Sequence, residues 1–221
     1  MTITVIKPGL QSTIQSRPRV GLRYQGVPAS GAADPLSLAL ANRLLGNEWD
    51  APALEATLLG PTLRFERECA FAVAGAVAEV TLNGDPIEAL ESGGASAGDE
   101  LAVGAAELGA RIYVAVTGGL AADDILGSAS TNLQAGFGGL QGRALATGDV
   151  LLCDAVAVEP ARTPDAFRLP MSLTWALRTC TASETDLLDD DSLDHLFNTN
   201  WTVARRADRM GVRLEGPGLV V

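Results

Sequence analysis

Short runs of β-type residues, each cut off by turn residues, recur along most of this chain, while a single segment clearly announces a helix. That spacing belongs to a sandwich or barrel rather than to an alternating α/β fold. Strands are expected at 62–66, 70–74 and 77–82, the last ending at Asn83-Gly84, a dipeptide suited to a hairpin because both central positions of a type I′ turn need positive φ. Residues 111–116 and 150–158 are rich in β-branched side chains and are expected as buried strands. The segments Ala97-Gly98-Asp99-Glu100-Leu101 and Thr147-Gly148-Asp149-Val150-Leu151 are alike, each a Gly-Asp turn feeding a strand, but too short to establish a repeat.

The helix is predicted over 35–45. Asp34 supplies the N-cap, Pro35 takes the first helical position, Leu36, Leu40 and Leu44 recur at i+4, and Gly46 follows as a stop. Three prolines in 159–170 mark the best linker. Residues 1–165 therefore read as a β-rich N-terminal domain with one capped helix, and 166–221 as the start of a second β-rich domain, with a strand at 173–178. The acidic stretch 184–194 lacks EF-hand spacing and is expected as a solvated loop capping a short helix at 191–197, so no metal is expected.

Composition removes several classes. A formal net charge of −11 leaves no basic excess to neutralise phosphates, so nucleic acid and anionic membrane are not expected partners. No apolar run approaches the ~20 residues that span a bilayer, and no basic, then apolar, leader opens the chain, so a cytoplasmic location is the expectation. Cys69, Cys153 and Cys180 are far apart and odd in number, which fits neither a disulfide framework nor a zinc site; they are expected as buried small hydrophobes.

Candidate chemistry concentrates in Val116-Thr117-Gly118-Gly119-Leu120, Leu126-Gly127-Ser128-Ala129-Ser130-Thr131 and Gly136-Phe137-Gly138-Gly139-Leu140-Gln141-Gly142-Arg143. Glycines at this density allow close backbone approach and can turn N–H groups toward an anionic oxygen, or they can simply serve tight turns and bulges. The Rossmann fingerprint fails at Gln141, and Walker A fails for want of Gly-Lys-Ser/Thr. Arg143 beside the loop offers a bidentate fork to carboxylate or phosphate. Asn42 in a Leu/Ala-rich helix is either an internal hydrogen-bonder or a ligand contact. Glu55, in an apolar context, is either a general base or the partner of Arg19 or Arg43. His195, the only imidazole, has no nucleophile motif nearby, so a Ser-His-Asp mechanism is not expected, and Asn200-Trp201-Thr202 is an accidental glycosylation match.

Taken in order, these segments resemble the family of the 5-oxoprolinase C subunit, also named allophanate hydrolase subunit 2 or biotin-dependent carboxyltransferase, which includes the KipA proteins. The resemblance covers nearly the whole chain. It rests on Gly26-Val27-Pro28-Ala29-Ser30-Gly31, on Asp34 through Asn42 with Gly46-Asn47, and on Leu54-Glu55 with Gly60-Pro61. It continues through Thr117-Gly118-Gly119, Leu126-Gly127-Ser128, Ser130-Thr131, Gly138-Gly139, Gly142-Arg143 and Gly148-Asp149 to Asp208-Arg209-Met210-Gly211 with Arg213-Leu214. Where the family opens with Gln-Asp-x-Gly-Arg-x-Gly, this chain has Gln15-Ser16-Arg17-Pro18-Arg19-Val20-Gly21, so the role of that Asp is not carried over to Ser16. Family members also continue past the Arg-Met-Gly segment into a further β-rich part, which makes 166–221 an expected incomplete domain with open sheet edges.

The resemblance implies a mainly β chain with a few helices in a cyclophilin-like β-barrel architecture, working with the A and B subunits of 5-oxoprolinase, the latter KipI-like. The implied reaction is ATP-dependent hydrolysis of 5-oxoproline to glutamate. An unstrained lactam is resonance-stabilised, and phosphorylating its oxygen makes the carbon electrophilic for water. ATP would be shared with a partner subunit, and nothing would be bound covalently. Within such a site our own assignment makes Glu55 and Arg143 the expected catalytic residues and Asn42, Gly118, Gly119, Ser128, Thr131, Gly138 and Gly139 the expected substrate contacts, with Arg143 and the Gly118-Gly119 and Gly138-Gly139 backbones holding a carboxylate or phosphate and Asn42 and Glu55 orienting the lactam. A urea/allophanate-type carboxyltransferase is the alternative, with biotin on a partner because this chain has no Met-Lys-Met carrier segment. A KipA-like regulator binding a KipI-like kinase inhibitor is the other.

Overall fold

The computed structural model describes residues 2–154, 159–168, 171–172, 178–205 and 211–220. The chain divides into two compact units, Met1–Leu173 and Thr174–Val221. In the first, β1 (Thr2–Lys7), β2 (Ser12–Gln15), α1 (Pro35–Arg43), β3 (Ala53–Thr57), β4 (Thr62–Phe65), β5 (Cys69–Leu82), β6 (Asp85–Pro86), β7 (Ser92–Ala95), β8 (Glu100–Val116) and β9 (Val150–Leu152) follow in chain order. They build one curled antiparallel sheet in the order β2-β3-β8-β4-β1-β9, with β5 pairing β8 and carrying β6 and β7. The mainly β class with few helices expected above is the class observed.

Two long strands organise this sheet, and each corrects an expectation. The runs 70–74 and 77–82 are one strand, β5, bent at Gly75, where φ is +105° and a Cβ would strike the Arg111 carbonyl. The register against β8 slips there, so the irregularity bends the strand instead of ending it. Likewise 111–116 is only the end of β8, whose earlier half is made largely of Ala, Gly and Glu with little intrinsic strand preference. Neighbours on both sides hold that half extended. At the turn after β5, Asn83 and Gly84 take φ of +54° and +90° and close the hairpin at Leu82 and Asp85, as their residue types require.

Alternation sends β-residues to two faces. Ile3, Val5, Ile14, Leu54, Phe65, Phe71, Val73, Ile112 and Val114 fill the inner core. The opposite face offers Ala53, Ala72, Ala74, Tyr113 and Ala115 to Leu38, Ala41, Leu44 and Leu45 of the helical segment. Small side chains on that face let α1 lie close against the sheet. The helix starts as expected, with Asp34 extended and its carboxylate accepting from the Ser37 amide at 3.1 Å. It stops at Arg43, two residues early, because the Leu45 and Gly46 amides tighten to the Asn42 and Arg43 carbonyls.

The two Gly-Asp segments are one docking device used twice. Gly98 N–H donates to Phe65 O at 2.7 Å and Gly148 N–H to Val5 O at 2.8 Å. Phe65 and Val5 return their own N–H groups to the Asp99 and Asp149 carbonyls, at 2.9 and 2.8 Å. Each aspartate side chain then accepts the amide three residues before it, Ser96 or Ala146, at 2.7 Å. Paired β1 and β4 thus each receive a strand, β9 or β8, from the same turn.

In the second unit, α2 (Asp190–Asn198) starts one residue before the expected helix, capped by Asp189, and β10 (Thr202–Val203) pairs with β11 (Leu214–Glu215). Residues 155–158 of one expected strand, 173–177 of another, and Asp208, Arg209 and Met210 lie outside the described residues. Cys69 and Cys153 are buried, but Cys180 is exposed, which corrects its expected burial. No helix among the described residues is long and apolar enough to cross a membrane.

Candidate functional site

The glycine-rich stretch after β8 folds onto the free edge of β2, and a residue that composition did not single out lies at its centre. Arg19 is 2 % exposed. Its Nε donates to Ile125 O at 2.8 Å, and its Nη2 donates to Ser128 O and Ser130 O at 2.9 and 2.8 Å. The guanidinium lies 4.7 Å from the Phe137 ring centroid, a cation–π distance. Burial pulls its pKa below the ordinary arginine value, opposed by the charge of Asp124, and it remains a cation. Gly138 is glycine for a steric reason: a Cβ there would strike Ser130 O and sit 2.7 Å from Arg19 Nη2.

Ser128 and Thr131 belong to this same cluster, but their hydroxyls serve the fold. Ser128 Oγ donates to Arg17 O at 2.6 Å, and Thr131 Oγ1 to Ile14 O at 2.9 Å. Ser130 Oγ accepts the Ser16 amide at 2.9 Å, so the position where the family pattern has Asp here joins a serine pair. Among the described residues, three buried side-chain polar atoms lack a hydrogen-bond partner, Gln15 Oε1, Arg19 Nη1 and Asn132 Nδ2, and all fall in this cluster. The missed signal was Arg19 itself, three residues past Ser16 at the exit of β2, where a buried arginine is unusual.

Asn42 and Gly118 come together elsewhere, through a residue not singled out as a ligand. Asn47 Nδ2 donates to Asn42 Oδ1 at 3.0 Å and to Val116 O at 2.9 Å, while its Oδ1 accepts the Gly118 amide at 2.9 Å. Asn42 Nδ2 donates to Ala51 O at 2.9 Å. Asn42 is therefore a satisfied internal brace that ties the end of α1 to the Gly118-Gly119 turn, the first of its two expected roles.

Glu55 forms a third network, under α1. Its Oε2 accepts the Ala33 amide and the Tyr113 hydroxyl, each at 2.8 Å, and that hydroxyl accepts the Asp34 amide at 2.8 Å. Neither Arg19 nor Arg43 is its partner in these bonds; the cap of α1 is. Burial and the Glu55 charge hold the Tyr113 phenol well above its ordinary pKa.

Arg143 is the clearest departure from expectation. Its Nη1 and Nη2 bind Asp149 Oδ2 and Oδ1 at 2.7 and 2.8 Å, a bidentate pair. The planar fork offered to a ligand is occupied by the aspartate of the second Gly-Asp turn, six residues on. The hydrogen bonds between the two raise the arginine pKa and lower that of the aspartate. Arg143 and the Gly138-Gly139 turn accordingly do not converge on one point; the structure unites Ser128, Thr131, Gly138 and Gly139 around Arg19, and Asn42 with Gly118 and Gly119.

Beside Arg19, a cleft of about 420 Å³ is walled by Arg23, Tyr24 and Ala29. Arg23 and Tyr24 are exposed there, while Arg17 on the same segment is paired with Asp50 at 3.2 Å. At this cleft a guanidinium and an aromatic ring face solvent together.

Residues 25–220 match the family model for the carboxyltransferase domain, subdomain A and B. The urea amidolyase of Lachancea kluyveri is 38 % identical over 96 % of this chain, which spans 12 % of that much longer protein. The C subunit of 5-oxoprolinase from Haemophilus influenzae is 34 % identical over 98 % of this chain and 69 % of its own length. Among solved structures, the K. lactis urea amidolyase superposes with a TM-score of 0.89 at 36 % identity, over 99 % of this chain and 14 % of that one. The family model begins a few residues after Arg19 and takes in the whole glycine-rich stretch, and the fold likeness extends over nearly every residue: the chain belongs to the carboxyltransferase domain family, subdomains A and B.

Proposed function

We propose that this chain acts as one subunit of an ATP-dependent 5-oxoprolinase that opens the lactam 5-oxoproline to glutamate together with two partner subunits. The observation that carries this reading is the similarity to a protein named as the C subunit of 5-oxoprolinase, which takes in nearly all of this chain and over two thirds of that relative. The match to urea amidolyase takes in only a small part of a much larger polypeptide.

The chain's own residues point to a share of the work. Four amides of the glycine turns are already taken within the chain: Gly118 N–H is given to Asn47 Oδ1, Gly119 N–H to Val116 O, Gly139 N–H to Ala129 O and Gly142 N–H to Gly138 O. Arg143 is given to Asp149. In this reading ATP is held by a partner subunit, and this chain contributes the cleft beside Arg19, where Arg23 offers a cation to the substrate carboxylate and Tyr24 a ring face to the lactam.

Carboxyl transfer from a biotin carrier is the second reading, favoured by the higher identity to urea amidolyase. One reconstitution separates the two. The purified chain, alone and mixed with candidate A and B subunits, is assayed for ATP hydrolysis that depends on 5-oxoproline. Turnover only in the mixture is expected; turnover by the chain alone refutes the shared-site reading, and avidin-sensitive carboxylation in place of lactam opening transfers the chain to the second.

A further inference from the structure

The loop 121–142 contains no regular strand; Ala122 and Leu140 near its ends pack against the core, but between them Ala129 is the one buried apolar side chain, and Ile125, Leu126 and Leu133 are 39, 56 and 42 % exposed. What it buries is mostly polar, namely Ser128, Ser130, Thr131 and Asn132. A loop so composed needs a fixed set of hydrogen-bond partners to hold one conformation. Arg19 supplies them from the side, at three carbonyls spread over six residues, with Phe137 closing over the guanidinium and Gly138 kept free of a Cβ to admit it.

The same arginine is anchored in the other loop. Its backbone N–H donates to Ala29 O at 2.7 Å, which closes the 19–29 segment on itself, and two residues earlier Arg17 O accepts the Ser128 and Ser130 hydroxyls. Carrying a cation into this position, with carbonyls and no carboxylate in its hydrogen bonds, is a poor route to stability, since an apolar side chain of similar size avoids the desolvation. What a planar guanidinium does and an apolar chain does not is hold several carbonyls at set directions.

We propose that Arg19 is a positioning residue whose guanidinium stands in for a core beneath the 125–138 loop and latches that loop to the 17–31 segment, so that the 18–29 stretch walling the cleft is held in one preformed shape. Arg19 does not touch the substrate in this assignment; it acts through the backbone it holds. The inference rests on the cleft beside Arg19 being the working face, and its test is read on the chain alone, so it stands or falls apart from the choice between lactam opening and carboxyl transfer.

Amide hydrogen exchange, resolved by segment, tests it on the wild-type chain and on Arg19→Lys and Arg19→Ala. Lysine keeps the charge but not the fork, so exchange in 124–139 and 19–31 should quicken on the order of tenfold or more, as loss of charge-assisted bonds implies, with β5 and β8 unchanged. Millimolar methylguanidinium should restore loop protection to Arg19→Ala, and methylammonium should not. Uniform quickening through β5 and β8 would reduce Arg19 to a general stability residue and overturn the proposal. So would a loop as protected in Arg19→Lys as in wild type, or equal rescue by the two cations. Should the alanine variant fail to fold, the lysine variant carries the test.

Discussion

Replacing Tyr113 by Phe removes one oxygen from the network that docks α1 and leaves the buried ring in place, so no cavity adds to the effect. That oxygen makes two bonds of 2.8 Å, donating to the Glu55 carboxylate and accepting the Asp34 amide. Loss of a bond to a charged acceptor costs about 1.5–3 kcal/mol, and the Asp34 amide, only partly buried, adds the lower end of the penalty for an unmet donor, about 1 kcal/mol. The expected total is therefore about 2.5–4 kcal/mol, which for a chain of this size lowers Tm by roughly 5–16 °C. Urea denaturation followed by far-UV circular dichroism measures the loss, and exchange of the Ala33 and Asp34 amides locates it. Glu55→Gln is the companion: a carboxylate that braces the helix cap loses stability on that change by a similar amount, whereas a catalytic base would lose turnover in the complex and keep its Tm. A loss below about 0.5 kcal/mol for Tyr113→Phe, within the range of an ordinary surface change, would refute the bracing role.

Two further outcomes follow from the other networks. Arg143→Met should lower stability at neutral pH by only roughly 1 kcal/mol, because the arginine side chain is 42 % exposed and solvent screens the pair. Since the pair depresses the Asp149 pKa, its contribution is present above the ordinary aspartate value of about 4 and is lost as pH falls through the lower folded value, so wild type and variant should converge in a urea titration taken down to acid pH; a gap that persists unchanged there would contradict the assignment. Asn47→Ala strips the Asn42 side chain, the Val116 carbonyl and the Gly118 amide of their shared partner, and should cost about 2–4 kcal/mol in urea denaturation; a loss below about 0.5 kcal/mol would show that the shared amide carries nothing.

Local features of this protein were legible wherever a few consecutive residues carry their own physical reason. Asp34-Pro35 caps and starts α1 by side-chain and φ chemistry alone, Asn83-Gly84 closes its hairpin because both positions need positive φ, and the acidic run before α2 caps that helix through Asp189. Ordered motifs likewise announced the family. The strands β1, β2 and β3 were not announced: Ala-Leu-Glu-Ala-Thr reads as helix former or loop, and it is extended because β2 and β8 flank it on both sides and bury it. The single long β5 was hidden because a glycine signals an end in sequence and a bend in a paired sheet. The functional residues divide the same way. Their types told which could bind an anion, but partners elsewhere in the fold decided which are free to: Asp149 takes Arg143, Tyr113 and the α1 cap take Glu55, Asn47 takes Asn42, and Arg19 draws in carbonyls more than a hundred residues further on. A side chain's chemistry is a local property, whereas its availability depends on what the fold has already placed against it.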